Sequence, residues 1–310
     1  VAVRQAMVRG HQIVPKYGKR VTDVLKGMLR PSLIPKPGHV FLVADWSAIE
    51  GRVHPWLSNT PAGEKKLDIF RSGLDPYKVN AAATFGCTYD DVTKEQRQVG
   101  KVQELALGFL GGAGAFEVFG RAYGLRLSEA EVDRAVKGWR RANPWAMDHG
   151  QKLETAYTRA MRQKGYEFSA GRVTYLFDGL HLWYALPSGR ILCYPYAKLE
   201  DEGVTYAKAA WKPAADATEW PRARLWRGLA CENITQATAN DILRYALREL
   251  DARGVHVVAH VHDEVVVECP VEAIDEQTAI MNEIMCRTPD WAAGLPLGIE
   301  LECMERYGKG

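Results

Sequence analysis

A chain of 310 residues, 47% hydrophobic and 25% charged with a net charge of +2, has the make-up of a soluble globular protein of one to three domains. No apolar run approaches the length of a membrane span, no signal peptide is expected, and the opening Val1 suits a piece of a longer product. The cysteines (Cys87, Cys193, Cys231, Cys269, Cys286 and Cys303) include no C-x-x-C pair, which argues against a disulfide framework or cysteine zinc site and for a reducing, cytoplasmic setting.

Residues 39–58, HVFLVADWSAIEGRVHPWLS, begin as a strand and pass into a helix after Asp45. Residues 93–110, TKEQRQVGKVQELALGFL, predict a helix opened by a capping box from Thr93 to Gln96, and the glycine-rich GGAGAF breaks it. A helical stretch rich in basic and aromatic side chains follows over 127–165. From 172 to 212 the texture changes, and RVTYLF, LWYAL and RILCYPYAKLE, punctuated by PSGR, predict strands joined by turns. LWRGLACENITQATANDILRYALREL, 225–250, predicts another helix.

AHVHDEVVVE, 259–268, then sets His262, Asp263 and Glu264 between two valine-rich runs, the pattern of a hairpin with polar residues at its tip. The order predicts a mixed sheet whose strands come from both ends of the chain, with a helical subdomain inserted between them. Charge follows the same division: residues 251–310 hold 12 acidic and 4 basic side chains, a balance of −8 that leaves +10 for the rest. A basic body beside an acidic end suits a protein that grips phosphates in one place and metal ions in another, although ordinary surface scatter would produce the same figures.

Three groups of residues carry candidate chemistry. Asp45 ends an apolar strand, Glu50 follows five residues later, and Asp263 with Glu264 lies in the hairpin. If the two strands are neighbours, these carboxylates meet and repel, and a divalent cation such as Mg²⁺, which prefers oxygen ligands, relieves the repulsion. A pair of such ions roughly 4 Å apart activates an attacking hydroxyl and stabilises a leaving phosphate oxygen. The plainer use of any single Asp here is a turn or cap.

Arg97, Lys101, Leu105 and Phe109 recur every four residues on the helix at 93–110, a stripe able to bind a triphosphate and stack on a base. A solvated basic turn leading into a buried apolar end is the alternative. On the helix at 225–250, Glu232, Gln236 and Asn240 share a face with Arg227 one turn before. Long amides on such a face suit the minor-groove edges of base pairs, or form a plain polar surface.

In this order, the segments resemble the family A DNA polymerases, the DNA polymerase I-like group, and its phage members in particular, over about residues 26–310. VADWSAIEGR resembles that family's motif A, EQRQVGKVQELALGF its motif B and VHDE its motif C; DPYKVNAAATFG (75–86), ENITQATANDIL and WAAGLPLGIELECMERY resemble the opening of the fingers, the glutamine-bearing palm helix and the C-terminal segment.

The resemblance implies an α+β right-hand polymerase palm, an antiparallel sheet with flanking helices, carrying an inserted helical fingers subdomain. Residues 1–60 would form the N-terminal segment and first palm part, 61–171 the fingers, and 172–310 the second palm part. The segment ahead of Asp45 is too short for the family's thumb and VRGHQIVPKYGKR does not match its usual upstream motif, so thumb and exonuclease are expected to be absent and the grip on duplex weak and salt-dependent. Arg20 or another upstream cation would take the place of that upstream motif. Either a separate thumb or processivity subunit would then complete the enzyme, or the chain is a fragment of a longer one, or the enzyme is distributive.

The same resemblance implies template-directed DNA synthesis with Mg²⁺ as cofactor, two ions for which Mn²⁺ can substitute, and primer–template DNA and dNTPs as partners. Asp45 and Asp263 match the metal-binding aspartates, Trp46 would lend a backbone carbonyl, and Glu264 would support the site. Arg97, Lys101, Tyr77, Leu105, Phe109, Glu50 and Ser47 match nucleotide-binding positions, with Glu50 as the steric gate against a 2′-hydroxyl. Gln236, Arg227, His262, Glu232 and Asn233 match primer–template contacts. Phe109, Leu110 and Leu105 depart from the family's usual residues, so base and sugar selection are expected to differ from its norm. A partner-dependent primer–template-binding subunit and an RNA-synthesising relative are the alternatives, and Glu50 argues against the latter.

Overall fold

The structure, a computed structural model, describes residues 13–209 and 220–308. The start of the N-terminal segment and the end of the stretch 172–212 lie outside the described residues. Two compact units are formed, one by the described residues of Val1–Ser47, Tyr245–Arg287 and Gly298–Gly310, the other by those of Ala48–Arg244 and Thr288–Leu297.

The first unit is organised by strands β1 (His39–Trp46), β9 (Val257–Val261), β10 (Glu264–Pro270) and β11 (Ile299–Met304). They make one sheet in the order β11–β1–β10–β9, and every pairing is antiparallel. The sheet is therefore not mixed as the element order suggests, because β10 and β11 return from the far end of the chain against the direction of β1. Side chains alternate across a strand, so β1 offers Val40, Leu42, Ala44 and Trp46 to one face and Phe41, Val43 and Asp45 to the other. Helix α11 (Ile274–Cys286) takes up the first face: its Met281, Ile284 and Met285 are buried, and the Trp46 indole donates to the Met285 carbonyl at 2.8 Å. On the second face Phe41, Val43, Val266 and Tyr307 form a buried cluster.

The second unit begins with α3 (Ile49–Ser58), α4 (Pro61–Arg71), α5 (Pro76–Phe85), α6 (Lys94–Leu107), α7 (Ala113–Ala122), α8 (Glu129–Ala142) and α9 (Pro144–Arg162). Ahead of them in the chain come α1 (Ile13–Tyr17) and α2 (Val21–Ser32) of the first unit. Strands β2 (Glu167–Ala170), β3 (Val173–Phe177), β4 (Leu182–Ala185) and β5 (Ile191–Tyr194) form one further sheet. Strands β6 (Lys198–Glu200), β7 (Gly203–Ala207) and β8 (Arg222–Arg224) form another. Strand structure thus starts earlier than 172 and stands in sheets of its own. Helix α10 (Arg227–Ala252) follows.

The capping box forms as expected, with the Thr93 hydroxyl accepting from the Gln96 amide and the Gln96 side chain accepting from Thr93. The helix ends at Leu107 and not at 110, where Leu110 lies in the left-handed region at φ 65°. The helical stretch 127–165 is two helices broken at Asn143, because Pro144 opens the second as its first residue and cannot continue the first.

Helices α5 and α6 approach so closely that a Cβ on Gly100 would lie 2.0 Å from the Tyr77 carbonyl oxygen. In an open helix Gly→Ala stabilises. Here Gly100→Ala is expected to destabilise by roughly 1–3 kcal/mol, as overpacking does, visible as a lowered urea midpoint at unchanged slope.

Candidate active site

The register of β1 decides the chemistry of the first unit. Asp45 is paired with Glu264 on β10 and with Glu300 on β11, which puts three carboxylate-bearing residues in one row on one face of the sheet. Asp263 precedes Glu264 in the two-residue connection between β9 and β10, beside His262 at φ 58°. Histidine is among the few non-glycine residues enriched in that region, and here it is exposed while Asp263 is partly buried. The expected meeting of a strand-end carboxylate with the hairpin thus occurs, with Glu264 directly opposite Asp45.

Glu264 is 5% exposed. A buried carboxylate is costly unless hydrogen-bonded, and the Tyr307 hydroxyl donates to its Oε1. Burial, with the hydrogen bond to Glu264 and its charge acting the same way, pushes the Tyr307 phenol up to about 12, so it remains a donor at neutral pH. Tyr307 is held from several sides: its amide donates to the Leu33 carbonyl at 3.2 Å, and the Arg30 guanidinium lies over its ring at 5.4 Å.

Among the described residues no group of three or more His, Cys, Asp or Glu is arranged to hold a metal by itself. The donors of the Asp45–Glu264–Asp263 set are all carboxylate oxygens. That suits Mg²⁺, which commonly takes one or two carboxylates and completes its shell with water and substrate phosphate oxygens.

In the second unit Arg97 and Lys101 lie on α6, one turn apart. Arg97 Nε donates to Asp75 Oδ2 at 2.5 Å, and its guanidinium stands 5.2 Å from the Tyr77 ring centroid. Asp75 in turn caps α5, accepting from the Tyr77 amide at 2.8 Å. Burial, followed by the charges of Glu104 and Asp75, raises the Tyr77 phenol above its ordinary range. Lys101 Nζ lies 5.0 Å from the Tyr123 ring centroid. Leu105 remains on α6, whereas Phe109 falls in the turn beyond its end and leaves the expected stripe. The cause is the helix stop at Leu107.

One carboxylate fixes α6 among its neighbours. Glu104 Oε2 accepts from Lys66 Nζ at 3.0 Å, Asn80 Nδ2 at 2.6 Å and Trp139 Nε1 at 3.4 Å, residues of α4, α5 and α8. Its Oε1 would be 3.1 Å from any Cβ at Gly51. Glu50 opens α3 and accepts from Gln236 Nε2 at 3.4 Å. On α10, Arg227 Nη1 donates to Gln151 Oε1 at 3.1 Å and Asn233 Nδ2 to the Tyr194 hydroxyl at 3.0 Å, while Glu232 is partly buried. Ser47 donates its amide to the Gly298 carbonyl at 2.9 Å.

Tyr307, Glu300, Asp75, Lys66 and Glu104 are absent from the residues picked out by sequence. The alternation of IELE signalled Glu300, since it places Glu300 and Glu302 on one face of a strand. Asp75, directly before Pro76, carried the local signal of a helix cap; nothing local signalled the other three.

No protein-family model matches the chain. The chain is 38% identical over 299 residues to a DNA polymerase of Bacillus phage SP02, covering 94% of this chain and 45% of that protein. It is 25% identical to the thermostable DNA polymerase I of Thermus filiformis, over 88% of this chain and 27% of that one. Among solved structures, the POL domain of Pol1 from M. smegmatis, in complex with DNA primer-template and dNTP, matches with a TM-score of 0.60 at 18% identity, over 90% of this chain and 42% of that one. The fold is therefore that of a polymerase domain. Over nearly its whole length the chain is thus similar to DNA polymerases, DNA polymerase I among them, and it spans less than half the length of the curated relatives it matches.

Lys66 and Glu104 side chains are 3% and 10% exposed. Removing one member of a buried pair strands the other, so Lys66→Met should cost about 3–5 kcal/mol in urea unfolding. The double variant Lys66→Met with Glu104→Leu should cost less than the two single changes added together.

Proposed function

We propose that the chain is the catalytic core of a DNA-directed DNA polymerase, extending a primer 3′-hydroxyl with dNTPs in the cytoplasm of a bacterial or phage-infected cell. The observation that carries this reading is the pairing of Asp45 with Glu264, and the adjoining Asp263, in a chain 38% identical to a phage DNA polymerase.

Asp45 and Asp263 would hold two divalent cations, Mg²⁺ or Mn²⁺, with the Trp46 carbonyl as a further oxygen donor. When bound, the cations lower the pKa of the attacking hydroxyl and neutralise charge on the phosphate. Glu264 adds negative charge beside Asp45. Positioning and charge complementarity supply most of the acceleration in this class of reaction.

Residues 61–171, on this reading the fingers, carry the cations for the triphosphate. Arg97 and Lys101 bind it, Arg97 exchanging its Asp75 carboxylate for phosphate oxygens, and Tyr77, Leu105, Phe109 and Ser47 line the nucleotide. Glu50 packs against the sugar and excludes a 2′-hydroxyl. Gln236, Arg227, Asn233, Glu232 and His262 contact primer–template, the amides reading the hydrogen-bonding edges that all base pairs share in the minor groove.

Primer extension at low salt with Mg²⁺ tests the reading. Asp45→Ala and Asp263→Ala should each lower extension by at least about 100-fold, the scale of losing one electrostatic stabiliser of a transition state, without lowering the unfolding midpoint. Full extension by either variant would rule out the assignment. Glu50→Ala should raise incorporation of ribonucleotides relative to deoxynucleotides; an unchanged ratio would favour an RNA-synthesising enzyme.

A further inference from the structure

The row of carboxylates on β11, β1 and β10 has one neighbour that the catalytic reading leaves without a task. Tyr307 is 3% exposed, its ring belongs to the buried cluster of Phe41, Val43 and Val266, and its hydroxyl donates to Glu264 Oε1. Asp45 stands directly between Glu264 and Glu300 in the sheet. Like charges at directly opposed positions repel, so a carboxylate in this row tends to swing away from its neighbour unless something holds it. A lysine or arginine would hold it by cancelling the charge that attracts a cation. A phenol holds it with a neutral donor and leaves the charge in place.

The phenol itself has little freedom. The Tyr307 amide is tied to the Leu33 carbonyl at 3.2 Å, Arg306 Nη1 donates to the Pro31 carbonyl, and Arg30 covers the ring. The C-terminal residues thus strap onto the segment that precedes β1, and the strap delivers one hydroxyl to one carboxylate oxygen.

We propose that Tyr307 is a positioning residue for the metal-binding row: its hydrogen bond holds Glu264 in a single orientation beside Asp45 and Asp263, and so sets the affinity of the site for divalent cations. The proposal rests on the polymerase reading, because it requires that the row bind a cation at all. Partners that orient charged groups around a metal typically govern affinity by about 10-fold or more.

The test is Mn²⁺ binding to the full chain, followed by the loss of the free-ion signal in electron paramagnetic resonance. The wild type should bind Mn²⁺ and Asp263→Ala should not. Tyr307→Phe keeps the ring in its apolar cluster and should weaken Mn²⁺ binding by about 10-fold, lower turnover in primer extension and leave the KM for dNTP unchanged. In a Glu264→Gln background the same change should have no further effect on Mn²⁺ binding. Glu264→Asp, which draws the carboxylate back from the phenol and retains its charge, should weaken Mn²⁺ binding similarly and serves if Tyr307→Phe does not fold.

Wild-type affinity in Tyr307→Phe or in Glu264→Asp, or a Tyr307→Phe effect that persists undiminished in the Glu264→Gln background, would overturn the positioning role and leave the polymerase reading standing. Equal binding by wild type and Asp263→Ala would overturn both.

Discussion

Everything in the first unit depends on one register. Antiparallel pairing puts Asp45 opposite Glu264 and Glu300, and a shift of one residue along β1 would place Ala44 or Trp46 there instead. Two unit charges about 5 Å apart repel by roughly 3 kcal/mol at the effective dielectric of a protein surface. The row persists because the same register buries Phe41, Val43 and Val266 beneath it and Leu42, Ala44 and Val267 behind it. Apolar packing holds in place an arrangement that electrostatics alone would disperse. On the proposed reading, that stored repulsion is what a divalent cation would relieve.

The second unit solves a related problem by different means. Helix α6 carries Arg97 and Lys101, and a helix presents its cations usefully only if its rotation about its own axis is fixed. Glu104 supplies that, taking donors from three other helices on a single oxygen. Gly100 adds a second constraint by letting α6 lie against the backbone of α5. The Arg97–Asp75 pair differs in kind: at 41% and 24% side-chain exposure respectively it is a partly solvated contact that a competing anion can replace. The buried pair serves architecture, and the solvated one leaves its cation available.

Much of this was legible along the chain. The strand that ends in Asp45, the capping box at Thr93, the long polar-faced helix and the hairpin at 262–263 all follow from local rules of periodicity, capping and turn chemistry. Two helix boundaries were missed for local reasons. The helix expected through 110 ends at Leu107, with Leu110 turned into the left-handed region, and the stretch 127–165 was split by Pro144. Phe109 left its stripe for the first of these reasons.

The order of the motifs and the types of residue in them were set by the sequence alone, because capping, alternation and charge act between neighbours in the chain. Tertiary structure decided which carboxylates stand opposite one another and which groups hold them. Tyr307 reaches Glu264 across 43 positions, and Lys66 reaches Glu104 across 38. No periodicity spans such distances. Only the antiparallel return of the C-terminal strands and the packing of the helices bring these partners together, since a buried charge selects its donor in space and not along the chain.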